Sequence, residues 1–253
     1  MSAPSINKAL LEKLEKIPTP EGLIRELMQH FGNRAAIVTS GQLTGMVTLD
    51  MAVQAGFKPR VVTIDTLRLF QETYELLDEI EKHYHLKIER IKPDPQKLQK
   101  MISEHGTFLF FDSKEKQEMC CHIRKVEPNN RILDTLDVWF TGLRADQSAA
   151  RAKVSRLEII QHGPDKRPIL KVAPLVDWTE EKLRTYIKKN KVPTHKLLNW
   201  NKDGWYYESL GCVICTTPIG PTESRRAGRW RWFQDDSVKE CGIHPLQGDG
   251  EGI

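Results

Sequence analysis

The stretch from residue 35 to residue 64 constrains the fold more than any other part of the chain. An apolar run at 35–39 leads into the turn Thr39-Ser-Gly-Gln-Leu-Thr-Gly45, a helical pattern follows over 46–55, and a second apolar run covers 60–64. Strand, glycine turn, helix and strand in this order make a βαβ unit, whose strands run parallel because a crossover joins them. The alternation continues with a helix over 70–84, a strand over 86–91 and a buried strand over 138–141 that ends at Gly142. Residues 169–172 read as an edge or late strand, and 179–190 as a helix capped by Asp177 or Thr179. Before the first strand, Ser5 is placed to cap a helix bearing Ile6, Leu10, Leu11 and Leu14 and closed by Pro18; Thr19-Pro20 opens a second that ends at Gly32. The predicted fold class is α/β, a doubly wound and mostly parallel sheet. Ligands of such sheets collect at the carboxyl ends of the strands near the reversal in strand order, which places 40–45, 65–68 and 142–144 at the site.

After Pro193 the periodicity stops. The segment from Trp200 onward carries Trp205, Trp230 and Trp232 with three cysteines and lacks the apolar pattern for a core of its own, so it is expected to pack on the main domain. The 253 residues suit one large α/β domain. The apolar runs at 108–111 and 35–38 are far shorter than the roughly 18 to 20 residues of a membrane helix. The first 16 residues include Lys8, Glu12, Lys13, Glu15 and Lys16, lack an uninterrupted apolar core and do not resemble a secretory signal, so a cytoplasmic location is expected. The formal charge of +4 is too small to call for duplex nucleic acid and points to a small anionic substrate.

Five cysteines fall in three places: Cys120-Cys121, Cys212-Val-Ile-Cys215 and Cys241. An odd number without a secretory signal argues against a disulfide framework and for metal ligation or thiol chemistry. The two pairs supply four thiolates, which suits zinc or an iron–sulfur cluster. Adjacent side chains diverge by about 100° on a helix and oppose each other on a strand, so a cluster, whose ligands attach to several metals, suits the tandem pair better than one zinc. CxxC alone is equally the mark of a zinc knuckle or a redox dithiol. The 39–45 loop can turn the backbone N–H groups around Ser40 and Gly41 toward an anion at a helix amino terminus, although it lacks the GKS or GKT ending of a Walker loop. An ordinary glycine turn is the alternative.

Several segments together resemble the assimilatory adenylylsulfate/phosphoadenylylsulfate reductase family: Ile64-Asp-Thr-Leu-Arg-Leu-Phe-Gln-Glu-Thr-Tyr74, Cys120-Cys-His-Ile-Arg-Lys-Val-Glu-Pro128 and Thr141-Gly-Leu-Arg-Ala-Asp-Gln-Ser148. The likeness continues in Lys171-Val-Ala-Pro-Leu-Val-Asp-Trp-Thr179, Gly211-Cys-Val-Ile-Cys215, Arg226-Ala-Gly-Arg-Trp230 and Lys239-Glu-Cys-Gly-Ile-His244. It implies a sheet of the adenine nucleotide alpha hydrolase-like (PP-loop) type with an irregular cysteine-rich tail. The domains expected from it are an α/β nucleotide-binding and reductase domain over 1–199, including helices within 5–32, and a C-terminal segment over 200–253 packed on it. The double cysteine with CxxC is similar to the cluster-bearing branch, which implies one [4Fe–4S] cluster on Cys120, Cys121, Cys212 and Cys215 and adenosine 5′-phosphosulfate as substrate. Two departures stand out: Leu67 takes a position usually held by glycine, and Leu43 and Thr44 stand where acidic residues are common.

The resemblance makes Cys241 the nucleophile that takes up the sulfuryl group as Cys–S–SO3⁻, with thioredoxin or glutaredoxin releasing sulfite. It assigns Arg226, Arg229 and His244 to the phosphosulfate end, Arg151 to a phosphate, and Gly142 with the backbone of Asp65, Thr66 and Leu67 to the nucleoside. Ser40, Gly41 and Arg144 complete the expected substrate site, and Lys125 is expected to bridge cluster and substrate. No nucleic acid or membrane partner is expected; a homo-oligomer is compatible with the sequence. Trp230 and Trp232 are read as core packing. The alternatives are a 3′-phosphoadenylylsulfate or dual-specificity reductase, and a zinc-stabilised nucleotide- or RNA-binding module using Arg229-Trp-Arg-Trp232 as a stacking surface. An ATP-pyrophosphatase is disfavoured because Ser40-Gly-Gln-Leu-Thr-Gly45 does not match its SGGxDS-like loop.

Overall fold

The structure, a computed structural model, describes residues 5–148 and 151–233. Helices α1 (Lys8–Glu15) and α2 (Pro20–Phe31) precede the alternation β1 (Ala35–Val38), α3 (Leu43–Gln54), β2 (Arg60–Ile64), α4 (Gln71–Tyr84) and β3 (Ile88–Ile91). Helices α5 (Pro95–His105), α6 (Lys114–Cys121) and α7 (Glu127–Leu133) come next, then β4 (Val138–Phe140), β5 (Leu157–His162), β6 (Arg167–Val172) and α8 (Glu180–Asn190). The sheet runs β3-β2-β1-β4-β6-β5. Ile37 lies opposite Val61 on one side and Phe140 on the other, both parallel, and Phe140 opposite Val172 continues the parallel part. The strand order reverses between β1 and β4, which makes their carboxyl ends the switch point.

The expected doubly wound, mostly parallel sheet is therefore observed, with three local corrections. The edge or late strand expected over 169–172 is the late strand β6, but it is not at the edge: it lies between β4 and the antiparallel β5, an unexpected strand whose half-buried residues give a faint alternation. Helix α3 starts at Leu43, three residues earlier than expected, because Gln42 is the last extended residue (φ −80°, ψ 158°), so Gly45 lies inside the helix. Asn7, not Ser5, caps α1 by accepting from the Leu10 N–H at 3.0 Å. Thr19 and Thr179 cap α2 and α8 as their positions predict.

The chain divides into two units. One comprises Met1–Thr63, Gln71–Glu89 and Leu133–Lys196. Its central helix α3 is buried from Leu43 to Ala52, as expected of a helix covered on all sides. Its polar residues accordingly have partners: Thr48 donates to the Thr44 carbonyl at 2.9 Å, and the two oxygens of Asp50 accept from the Tyr84 and Tyr186 hydroxyls, each at 2.9 Å. The other unit comprises Ile64–Phe70, Arg90–Ile132 and Leu197–Ile253. Met101, Leu109, Phe110 and Cys120 form one of its cores, joined by Trp232, and Cys212, Cys215 and Trp230 form a second. Among the described residues no helix is long and apolar enough to cross a membrane.

Candidate active site

In the first unit, the chain leaves β1 through a tight turn. The Thr39 hydroxyl accepts from the Gly41 N–H at 3.1 Å, Gly41 adopts the left-handed φ of 75°, and Gln42 donates to the Ser40 hydroxyl at 3.2 Å. No side chain caps α3, so its first-turn N–H groups remain available to an anion at the loop. A Cβ on Gly45 would lie 2.2 Å from the Thr39 hydroxyl oxygen, which is why the helix can approach the turn only with glycine there. From the other side of the switch point, Gly142 lies against the Gly45 backbone nitrogen, 3.5 Å from where its own Cβ would be. Arg144 is nearly inaccessible and fully engaged: it donates to Asp146 at 2.8 and 3.2 Å and to the Thr44 hydroxyl at 2.9 Å, binding the loop after β4 to α3. Arg151 donates to Gln147 at 2.6 Å, and Gln147 accepts from the Arg144 N–H at 3.1 Å.

In the second unit, α6 opens with Ser113 accepting from the Lys116 N–H and closes on Cys120 and Cys121, where the backbone widens into a π turn over His122–Val126. Such turns re-aim side chains at functional sites. Cys120 is buried beside Leu109 and Phe110; Cys121, half-buried, receives the Gln117 amide at 3.1 Å. Cys212 and Cys215 bracket a 3-10 turn in which the Cys215 N–H donates to the Cys212 carbonyl at 2.9 Å. None of these four cysteines forms a disulfide.

The segment 65–68 ties both cysteine runs together. The Thr66 hydroxyl is hydrogen-bonded to Cys212 Sγ (3.3 Å) and its carbonyl accepts from Arg124 (2.7 Å), while the Arg68 carbonyl accepts from the Val213 N–H at 2.8 Å. Asp65 accepts from the Leu67 N–H at 2.9 Å and holds Leu67 in the left-handed region, φ 59°. That conformation favours glycine, the residue expected there from the family pattern, and costs leucine about 1–2 kcal/mol. Arg68 extends to the Thr107 carbonyl at 2.7 Å and lies over the Phe110 ring at 5.1 Å.

Cations and burial set the charge of the thiols. The hydrogen bond from Cys215 is the largest influence holding the Cys212 thiol well below the ordinary range; it outweighs burial and is reinforced by Lys125, Thr66 and Arg229. The same hydrogen bond, with burial, pushes the Cys215 thiol up. Burial also pushes Cys120 up, opposed by Arg124 and Arg68. Of the basic run 225–231, Arg225 pairs with Glu208, Arg231 pairs with Glu223, and Arg229 is buried over the Trp230 ring. The Arg226 carbonyl accepts from the Arg229 N–H at 2.9 Å.

Two pairs of cysteines supply four thiols, a donor set whose chemistry suits a cluster in which each thiolate binds a different iron; among the described residues no three His, Cys, Asp or Glu side chains close on one ion. The buried Nε1 of Trp230 and Nε of Arg124 find no acceptor among the described residues, and sulfur-rich inorganic clusters accept such N–H bonds.

The phosphoadenosine phosphosulfate reductase domain matches residues 34–218, most of the chain. The chain belongs to this family. Within it, the adenosine 5′-phosphosulfate reductase of Pseudomonas aeruginosa is 35% identical over 95% of this chain and 86% of its own length. The crystal structure of a phosphoadenylyl-sulfate reductase from Candida auris superposes with a TM-score of 0.68 at 25% identity, covering 85% of this chain and all of that one. The FMN adenylyltransferase of Candida glabrata, 14% identical with a TM-score of 0.54 over 97% of this chain and 83% of its own, shares the fold alone, the adenine nucleotide alpha hydrolase-like sheet.

Of the residues that the family pattern singles out, Ser40, Gly41, Gly142, Arg144 and Arg151 belong to the first unit. Asp65, Thr66, Leu67, Lys125, Arg226, Arg229 and the four paired cysteines belong to the second. Cys241 and His244 lie outside the described residues. Sequence reasoning placed Arg68 at the site without a role and passed over Arg124, Gln117 and Thr216. Arg124 was discoverable as a cation one helical turn beyond Cys120; Thr216 carries no signal beyond adjacency to Cys215.

Proposed function

We propose that the protein reduces adenosine 5′-phosphosulfate to sulfite and AMP in assimilatory sulfate reduction. The observation that carries this reading is the cysteine centre: two cysteine pairs far apart in sequence, held by Thr66 and Arg68 among the cations Arg124, Lys125 and Arg229. Relatives along 95% of the chain, named for that reaction, support it.

In this reading the turn after β1 and the amino terminus of α3 receive the nucleotide's anionic part, with Gly142 leaving room for the nucleoside and Arg144 keeping the two loops together. The Cys241 thiolate attacks the sulfur of the sulfuryl group; the S–O bond to the phosphate breaks, AMP leaves with that electron pair, and Cys241 keeps the sulfuryl group as Cys–S–SO3⁻. A thiolate of thioredoxin or glutaredoxin then attacks Cys241 Sγ, and sulfite leaves with the S–S pair. The reductant's second thiol opens the mixed disulfide, returning Cys241 as a thiol and leaving the reductant as a disulfide. Both electrons thus come from the external dithiol. Cys120, Cys121, Cys212 and Cys215 would hold a [4Fe–4S] cluster, which when bound supplies a fixed net charge of about −2 against which the surrounding cations are arranged. Lys125, whose charge already lowers Cys212, is the cation assigned to the substrate's own negative charge.

The family's description and the Candida auris relative favour a second reading, use of the 3′-phosphorylated nucleotide. Sulfite release by anaerobically purified protein with excess thioredoxin, on both nucleotides in parallel and with iron and zinc quantified, separates the two. Iron with turnover of adenosine 5′-phosphosulfate is the expected result; zinc, or iron with neither nucleotide reduced, overturns the proposal.

A further inference from the structure

Arg229 is fixed by its own unit from three sides. A short antiparallel bridge sets Thr216 opposite Arg229: the Thr217 N–H donates to the Gly228 carbonyl at 2.9 Å and the Trp230 N–H to the Cys215 carbonyl at 3.2 Å. Across this bridge the Thr216 hydroxyl oxygen accepts from Arg229 Nη1 at 3.3 Å and from the Gly211 N–H at 3.1 Å. The guanidinium occupies the space that a side chain on residue 211 would need, with Nη1, Nη2 and Cζ at 2.2, 2.4 and 2.6 Å from an ideal Cβ. The Trp230 ring lies 5.0 Å from Cζ. Only 5% of Arg229 is exposed, and its Nε has no acceptor among the described residues. A desolvated cation held this firmly has the plane of its donors set by its neighbours, and a nearby anion would compensate its burial.

We propose that Gly211 and Thr216 are positioning residues that set the plane and reach of the Arg229 guanidinium, and through it the grip on the phosphosulfate group. This rests on the reading of Arg229 as a phosphosulfate contact. Gly211 provides a surface without a Cβ against which the guanidinium packs, and Thr216 provides an oxygen that fixes its rotation. Neither residue needs to touch the nucleotide. The pairing also gives the CxxC motif a second duty, because the residues immediately before Cys212 and after Cys215 orient the arginine fourteen positions after Cys215.

The test compares Arg229→Ala, Thr216→Val, Thr216→Ser and Gly211→Ala in the full chain, purified anaerobically, by KM and kcat for sulfite release and by the inhibition constant of adenosine, which lacks the anionic group. Thr216→Val keeps the shape and removes the acceptor; it is expected to raise KM for adenosine 5′-phosphosulfate about tenfold with kcat within about threefold. Gly211→Ala, which displaces the guanidinium, is expected to match Arg229→Ala, at about a hundredfold. Thr216→Ser restores KM to within about twofold of wild type, and adenosine inhibits all four variants as it does the parent. Wild-type KM in both Thr216→Val and Gly211→Ala, with Arg229→Ala impaired, overturns the positioning roles and leaves the Arg229 contact standing. Wild-type KM in Arg229→Ala overturns both. Adenosine inhibition weakened in parallel with KM, or failure of Thr216→Ser to rescue, makes the two residues structural and also overturns the proposal.

Discussion

Replacing Asp50 by alanine tests how the first unit holds its central helix. Asp50 is 1% exposed, and each carboxylate oxygen accepts one tyrosine hydroxyl, from Tyr84 of α4 and Tyr186 of α8, at 2.9 Å. A hydrogen bond to a charged acceptor contributes about 1.5–3 kcal/mol; half-buried hydroxyls recover part of this from water, so two bonds at the lower end give about 3 kcal/mol. At about 2–4 °C of midpoint per kcal/mol for a protein of this size, Asp50→Ala should melt about 6–12 °C lower. Thermal unfolding followed by far-UV circular dichroism measures it, with Tyr84→Phe and Tyr186→Phe expected to lose about half as much each and to couple to Asp50 in a double-mutant cycle. Alkaline pH provides an independent check. Burial, the largest cause for each, together with the hydrogen bond to Asp50 and its charge, pushes both phenols above their ordinary value. A group whose folded pKa is raised stabilises fully below its unfolded pKa, about 10 for tyrosine, and that contribution is lost as pH rises beyond it. Stability should therefore fall above about pH 10, less steeply in Tyr84→Phe. A melting loss below about 2 °C for Asp50→Ala would refute the reasoning, because the hydroxyls would then find equal partners elsewhere.

Gly45→Ala forces a methyl to within 2.2 Å of the Thr39 hydroxyl oxygen that receives the Gly41 N–H; overpacking of this kind costs about 1–3 kcal/mol, so nucleotide affinity by equilibrium dialysis should drop about tenfold or more. Lys125→Gln removes one charge; at an effective dielectric near 20 and a separation of about 6 Å that is worth roughly 3 kcal/mol, so kcat/KM should fall about a hundredfold and depend less on salt. Cys212→Ser should lose most of the bound iron, seen in the visible absorption of the anaerobic protein, along with activity. Cys241→Ser should keep both iron and nucleotide binding yet release no sulfite; continued release would remove Cys241 as nucleophile.

The first βαβ unit was legible because its signals are local. The apolar runs of β1 and β2, Thr19 before Pro20, and Thr179 before the helix at 180 each act within a few residues, where hydrogen bonding and propensity decide conformation. Helix α5 carried equally local marks, Asp94 before Pro95 and Gly106 after the last turn, and was still passed over. Helix α6, Lys-Glu-Lys-Gln-Glu-Met-Cys-Cys, has no apolar stripe to find, since only Gln117 and Cys120 of it are buried. The early start of α3 was hidden because Gly45 reads as a turn residue, whereas it lies inside the helix and is glycine because Thr39 leaves no room for a side chain there.

For the site, residue types and spacing were enough to single out four thiolates in two pairs, a separate Cys241 and a glycine-containing loop between strand and helix, and the order of the motifs matched one family. Those properties are written in the covalent chain. Which groups surround the thiols was decided only by the fold: Thr66 and Arg68, more than fifty residues before Cys120, bind both cysteine runs, and Arg144 is consumed by Asp146 and Thr44. The order of β4, β6 and β5 was also decided there, and so was the seating of Arg229 on Gly211. Local interactions act over a few residues and can be read along the chain, whereas burial, electrostatic neighbours and strand order depend on segments that meet only when the core closes.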